Sequence, residues 1–378
     1  MTKWLSLTFS FVAAFAAGCV SEPAAVADRA AGNAVADIVV SRRTLTANGG
    51  RVDWCAANNL IAFDRMTGRD TSEVYVIRPD GRGQRCVTCG VPGLPEGIRG
   101  QPAWHPSGRF LVIQVQGKHY GGSRFEFVAW GIHNDLWLID ADGKWGQRLL
   151  EADYLGASLH PHFSDTGDHL FWTVREATGH KIRQRIFHKT PGGENPWDGW
   201  HLAIARFHRD AGGTAKLTQR VDLYRGEGGF FESHALRDGV IWFSHTPGGR
   251  PLVDDIYRAR ADGTGRVNIT RSPGTWEEHG ELSPHGSLIT FNSSRRFDWK
   301  HPPDTAGTLR LELWARRVSS GATVQLTDFN RQVAGHARVL TSDYAWGPSG
   351  REIAVYYATF GRGAVTQQID ILHLNGAY

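Results

Sequence analysis

Six times along the chain a short apolar stretch runs into a Gly-punctuated turn and then a strongly hydrophobic run. These are VDWCAANNLIAF from Val52, PAWHPSGRFLVI from Pro102, PHFSDTGDHLFW from Pro161, SHALRDGVIWF from Ser233, GELSPHGSLITF from Gly280 and YAWGPSGREIAV from Tyr344. Repetition constrains the fold before any single residue does, because one such unit cannot bury its own apolar face and must stack on its neighbours. Each unit has a second half: EVYVIRPDGRGQRCVT from Glu73, DLWLIDADGKWGQRLL from Asp135 and DIYRARADGTGRVNIT from Asp255 are examples. There a β-alternating run, an Asp-Gly or Ser-Gly turn and another short run make a hairpin. Two hairpins per unit give a four-stranded sheet, one blade of a propeller. The sixth unit stops at Tyr378 after QQIDILHL, without a fourth strand, while ADIVVSRRTLT from Ala36 is a strand without a unit. The expectation is an all-β, six-bladed β-propeller in which the N-terminal strand closes blade six.

The PSG, SPHG and GPSG turns with a following ADG hairpin resemble the WD-like repeats of TolB-type six-bladed propellers. The resemblance covers nearly all of the chain after about residue 36. It implies architecture more than activity, since such scaffolds host both partner-binding proteins and carbohydrate-active enzymes.

Residues 1–18 read as an export signal: Lys3 near the start, an apolar run from Trp4 to Ala17, and small residues before Cys19. The string AAGC resembles a bacterial lipobox, with Ala16 where Leu is usual, and this makes Cys19 the expected lipidated residue. An ordinary signal peptide cleaved nearby is the alternative. Val20 after the cysteine favours outer-membrane sorting, on the periplasmic side or the cell surface, with the membrane engaged only through the lipid anchor. Residues 19–35 are Ala-rich and lack β alternation, as a flexible tether would, and residues 36–378 form one folded domain.

A net charge of +4 over 378 residues, with no continuous basic run, gives no support for nucleic-acid binding. Cys86 and Cys89 form CVTC, for which a disulfide is expected in an oxidising envelope compartment. A zinc knuckle would need a second ligand pair at similar spacing. The string CVTCG also resembles CLTCG of fungal saponin hydrolases.

The first strand of every blade lines a propeller's channel, and alternate residues face the axis. Aligned on their turns, the units place Arg51, Gln101, His160, Ser233 or Glu232, His279 and Asp343 at one level, and Asp53, Ala103, His162, Ala235, Glu281 and Ala345 at the next. Imidazoles and carboxylates from separate blades can hold a divalent metal ion or move protons near neutral pH. The H-x-H pair His160 and His162 resembles the metal-binding H-x-H of oligogalacturonate lyases, which implies His160, His162 and His279 as metal ligands, with Gln101 able to complete a set. His160, His279, Glu281 and Asp343 are the candidate catalytic groups.

Long second-to-third-strand connections (Gln116 to Asn134, Arg175 to Trp200, Ser294 to Leu309) gather at one face and carry Arg124, Trp200, Arg295, Arg296 and Trp299. With Arg51 and Gln101 these are the candidate substrate-binding residues, because Trp stacks on sugar rings and Arg clamps carboxylates. The expected function is processing of an acidic glycan or small uronide, by lyase or glycosidase chemistry, at the channel mouth. The alternative is a non-catalytic propeller that binds an envelope protein or glycan, as TolB does. Seven tryptophans (Trp54, Trp104, Trp137, Trp172, Trp242, Trp314 and Trp346) fall where blades pack and are expected in the core.

Overall fold

The computed structural model describes residues 38–181, 190–247, 253–297, 308–335, 337–361 and 364–378. The export signal, the tether and Cys19 lie outside the described residues, as does Trp299. The strands fall into six four-stranded antiparallel sheets, each meandering outward from an inner strand. The inner strands are Val52–Trp54, Arg99–Trp104, Ala157–Phe163, Phe230–Arg237, Glu277–Leu282 and Arg338–Trp346. Blade six takes its outer strand from the other end of the chain. Val39–Ala47 pairs antiparallel with Val365–Leu374, Val39 standing opposite Leu374 and Ala47 opposite Gln368. The described chain is thus an all-β, six-bladed propeller closed by its N-terminal strand.

Alternation along each strand sends apolar side chains to both sheet faces, and every pair of neighbouring blades encloses its own hydrophobic layer. Trp54, Phe63, Tyr356 and Ile371 join blades six and one, and Trp104, Val76 and Trp137 join one and two. Phe171, Phe231 and Phe243 join three and four. All seven tryptophans assigned to blade packing are buried. Cys86 and Cys89 form a disulfide at the outer edge of blade one, and Cys55 is buried as a free thiol.

One hydrophobic cluster belongs to no blade pair. Phe125, Ala129, Trp130 and Ile132 of the long blade-two loop meet Trp197 and Trp200 of the blade-three loop, together with Leu159, Phe230, Trp276 and Leu340 near the starts of inner strands. This cap covers the long-loop side of the channel. Buried polar anchors fix it. Glu126 Oε1 accepts from Gly121 N (2.8 Å) and contacts His133 Nδ1 at 2.6 Å, while Leu155 N donates to His133 Nε2 at 3.0 Å.

Two histidines held neutral by the fold give it an acid limit. His105 packs among Phe110, Phe163 and Phe207, and burial pulls its pKa down to about 4. His245 stacks on Phe231 at 3.9 Å, and burial pulls it to about 3. The unfolded chain takes these protons near pH 6.5 and the folded one does not, so this stability is present above pH 6.5 and is lost as pH falls towards 4. His105→Gln is expected to flatten the fall of Tm between pH 6.5 and 4 in a series of thermal melts. An unchanged slope would refute the assignment.

Candidate functional site

The channel side chains are aimed by a repeated defect in the inner strands. Pairing with the second strand slips between Gly100 and Ala103, between Leu159 and His162, and between Glu278 and Glu281. Inside these bulges Gln101 (φ 50°), His160 (47°) and His279 (56°) adopt the left-handed conformation, which costs on the order of 1–3 kcal/mol for such residues. Their amides, taken out of the ladder, bond sideways. Gln101 N donates to Asp64 Oδ2 (3.0 Å), His160 N to Gln114 Oε1 (3.0 Å) and His279 N to His234 Nε2 (3.1 Å). Gly100 is required beside this bulge, since a Cβ there would stand 2.6 Å from Asp64 Oδ2. The bulge turns the side chain to the axis.

His160, His279 and Asp343 converge, with one ligand atom of each within 4.8 Å of the others, a spacing near that around one ion bound at about 2.0–2.2 Å. The His160 and His279 rings stack, 5.1 Å between centroids and 10° between planes. Glu232 Oε1 reaches both, 3.2 Å from His160 Nε2 and 3.4 Å from His279 Nε2. Yet neither Glu232 Oε1 nor His279 Nε2 has an aligned hydrogen-bond partner. Gln101 Nε2 and Ser342 Oγ donate to the two oxygens of Asp343 at 2.7 and 3.0 Å, fixing that carboxylate. Imidazole nitrogens and carboxylate oxygens converging from separate blades are a donor set that could hold a first-row divalent cation.

The local field separates the imidazoles. Burial opposes charge on His279, but Glu232 and Asp343 raise its pKa to about 10. Burial, reinforced by His279, holds His160 and His234 well below the ordinary histidine value, and burial takes His162 to about 4. Burial also raises Glu281 to about 8 and Asp53 to about 6.

A cavity of ≈ 110 Å³ lies at this level, lined by His160, His162, His234, His279, Glu281 and Asp343 among others. A second, of ≈ 330 Å³, shares Asp53, Trp54, His162, His234 and Glu281 with it and runs on to Ala56, Pro106 and Asp165 in the first-to-second-strand turns. The space beside the histidines therefore continues towards the short turns, away from the aromatic cap.

The sequence assignments divide accordingly. Gln101, His160, His162, His279, Glu281 and Asp343 all line the channel. Arg51 is buried against Asp64, 3.5 Å away, and is absent from the cavity lining. Of the loop residues, Trp200 is 1% exposed, packs on Phe230 and donates from Nε1 to Pro196 O, so it offers no face for stacking. Arg124 is exposed over Phe125. Arg295 bonds Glu277 (2.9 Å) and Ser272 (2.7 Å), and Arg296 reaches Gln325 in the outer strand of blade five (3.3 Å). None of these four reaches the channel, because the loops that carry them pack on one another or along blade five. One cavity-lining residue, His234, escaped the sequence alignment, as did Glu278, whose Oε1 lies 3.9 Å from His279 Nδ1. The unit in blade four has a shorter turn, and its bulge between Ser233 and Ala235 brings Glu232 and His234, rather than Ser233, to the channel. The short turn was the available signal.

No protein-family model and no curated protein sequence matches the chain. Solved structures with the same fold include TolB from Acinetobacter baumannii (13% identity, TM-score 0.46, 87% of this chain). The chain spans 64% of that protein, just under two thirds of its length. A putative TolB from Agrobacterium tumefaciens (15%, TM-score 0.47) is covered over 92% of its length by 82% of this chain. An oligogalacturonate lyase in complex with manganese (11%, TM-score 0.49) is covered over 96% of its length by 89% of this chain. These likenesses concern the propeller fold.

Proposed function

We propose that the channel is a divalent-cation centre, held by His160, His279 and Asp343 with Glu232 beside them, which engages the carboxylate of an acidic sugar. The observation that carries this reading is the buried convergence of His160, His279 and Asp343, beside which His279 Nε2 and Glu232 Oε1 have no aligned hydrogen bond. A bound cation supplies Lewis-acid neutralisation of a uronate carboxylate, which acidifies the neighbouring C–H. The chain's own groups supply the proton transfers. His162, whose Nε2 is unpartnered, and Glu281, on the side from which a ligand would enter, both line the cavity and are placed to exchange protons with a ligand there. Gln101 and the Ser342 hydroxyl orient Asp343. The modest volume at the ring suits a terminal residue of an oligouronide or a small carboxylate, entering from the short-turn face. The N-terminal segment supports export and anchoring through Cys19 to the periplasmic side of the outer membrane or the cell surface. No described helix is long and apolar enough to cross a membrane.

The test is metal analysis after chelator treatment and reloading with Mn²⁺, followed by incubation with oligouronides and detection of unsaturated products by ultraviolet absorbance. Wild type is expected to retain a channel ion and turn over. The His160→Ala/His162→Ala variant is expected to lose both while melting as a folded protein. Failure of wild type to bind an ion lost in that variant, together with no turnover across the panel, would sink the catalytic reading in favour of a partner-binding propeller.

A further inference from the structure

A second donor set stands outside the channel, at the edge of blade three where its long loop leaves and returns. Glu176 directly follows the second strand (His169–Arg175), His201 is the second residue of the third (Trp200–Arg209), and Asp222 is the penultimate residue of the fourth (Ala215–Leu223). One ligand atom from each lies within 4.8 Å of the other two. The acidic pair alone would mean little, because exposed carboxylates often sit close together. The imidazole changes the case.

His201 is 1% exposed, and its Nε2 has no hydrogen-bond partner although it lies 3.6 Å from Asp222 Oδ1. Its other nitrogen decides the tautomer. Nδ1 faces the backbone carbonyl of Gly199 at 3.4 Å, and a carbonyl can only accept, so Nδ1 carries the hydrogen and Nε2 presents a lone pair. A buried lone pair then faces carboxylate oxygens with no proton between them, an arrangement that a cation resolves. A ligating histidine commonly donates its remaining N–H to a backbone carbonyl in this way.

Arginines bond both carboxylates. Arg225 Nε and Nη2 both bond Glu176 Oε2, at 3.0 and 2.7 Å, and Arg220 Nε bonds Asp222 Oδ1 at 2.7 Å. Glu176 Oε1 and Asp222 Oδ2 are left for another ligand, while Asp222 Oδ1, the oxygen nearest His201 Nε2, is shared with Arg220. The Asp222 side chain is 25% exposed, so an ion can arrive from solvent and retain water in its open positions. We propose that Glu176, His201 and Asp222 form a peripheral site for a first-row divalent cation such as Zn²⁺, independent of the channel centre and tying the two ends of the blade-three loop to its outer strand. One nitrogen and two carboxylate donors match zinc's usual ligands.

Chelator-stripped full-length protein titrated with Zn²⁺ by calorimetry tests this, with stoichiometry checked by elemental analysis. In the His160→Ala/His162→Ala background, which removes the channel ligand His160 and is expected to lose the channel ion, one equivalent is expected to remain. Adding Asp222→Asn or Glu176→Gln, nearly isosteric changes at partly exposed positions, is expected to abolish it. Arg225→Ala, which removes only a supporting contact, is expected to weaken it by about 10–100-fold. The zinc-dependent rise in Tm should disappear with the equivalent. An equivalent that survives both Asp222→Asn and Glu176→Gln, or no equivalent in the channel-variant background, overturns the proposal. Neither result bears on the channel, whose ion is scored by its own histidine variant.

Discussion

Arg175→Met is expected to destabilise the protein by about 3–5 kcal/mol, the range for leaving one member of a buried ion pair without its partner. The Arg175 and Glu194 side chains are 1% and 2% exposed, with Nη2 2.7 Å from Oε2. Arg175 also donates to the carbonyls of Leu155 and Asn195, and Glu194 accepts from the amides of Gly179 and Thr178. Burial pushes the Glu194 carboxyl up, and Arg175 with these amides brings it below its ordinary value. Without the guanidinium the carboxylate stays in the same place with the burial unopposed. The double variant Arg175→Met/Glu194→Gln should recover much of the loss, because two buried charges go together. Chemical denaturation of the four proteins measures both effects. Because this network holds the chain beside Trp197 and Trp200, the near-ultraviolet dichroism of the cap should change with Arg175→Met. A single variant within 1 kcal/mol of wild type would refute the argument.

Removing the N-terminal strand should have a still larger effect. A chain that begins at residue 48 lacks Val39–Ala47, which covers the outer edge of blade six and contributes Leu45 to the layer between blades six and one. It also loses the Arg42 to Asp370 ion pair and the Gln368 to Thr44 hydrogen bond. Blade six would be left with three strands and an open hydrogen-bonding edge, a template for aggregation. The expected outcome is loss of soluble, cooperatively melting protein. Moving the strand should restore it. Asn375 N already donates to Ile38 O at 2.9 Å, so residues 38–47 appended after a short turn beyond Leu374 would complete a hairpin in the native register. A truncated chain with the wild-type melting temperature, or a permuted chain that fails to fold, would contradict this account of closure.

The blade count and the closing strand were legible in the sequence because turn spacing and β alternation repeat, and repetition averages out local ambiguity. The channel was legible in part. His160, His162, His279, Glu281 and Asp343 followed from counting alternate residues along first strands. Counting left Ser233 or Glu232 open in the unit with a shortened turn, where the structure presents Glu232, and it missed His234 at the bulge. It could not foresee that Gln101, His160 and His279 take positive φ, a conformation the sequence flags only when Gly or Asn occupies it. The loop tryptophans misled for another reason. An aromatic residue in a long loop reads the same whether it stacks on a ligand or on another loop, and Trp200 meets Phe230 rather than solvent. Arg51 was placed at the right height, but Asp64 of the adjacent strand claims its guanidinium.

Closure by the first strand has a bearing on biogenesis. In the sheet that completes the circle, Val39–Ala47 must find Val365–Leu374, and the two partners stand more than three hundred residues apart in sequence. Contacts of that separation form late and slowly. A folding molecule of this design therefore stays an open arc of blades until Val39–Ala47 and Val365–Leu374 meet, and its last step is a latch between two strands remote in sequence.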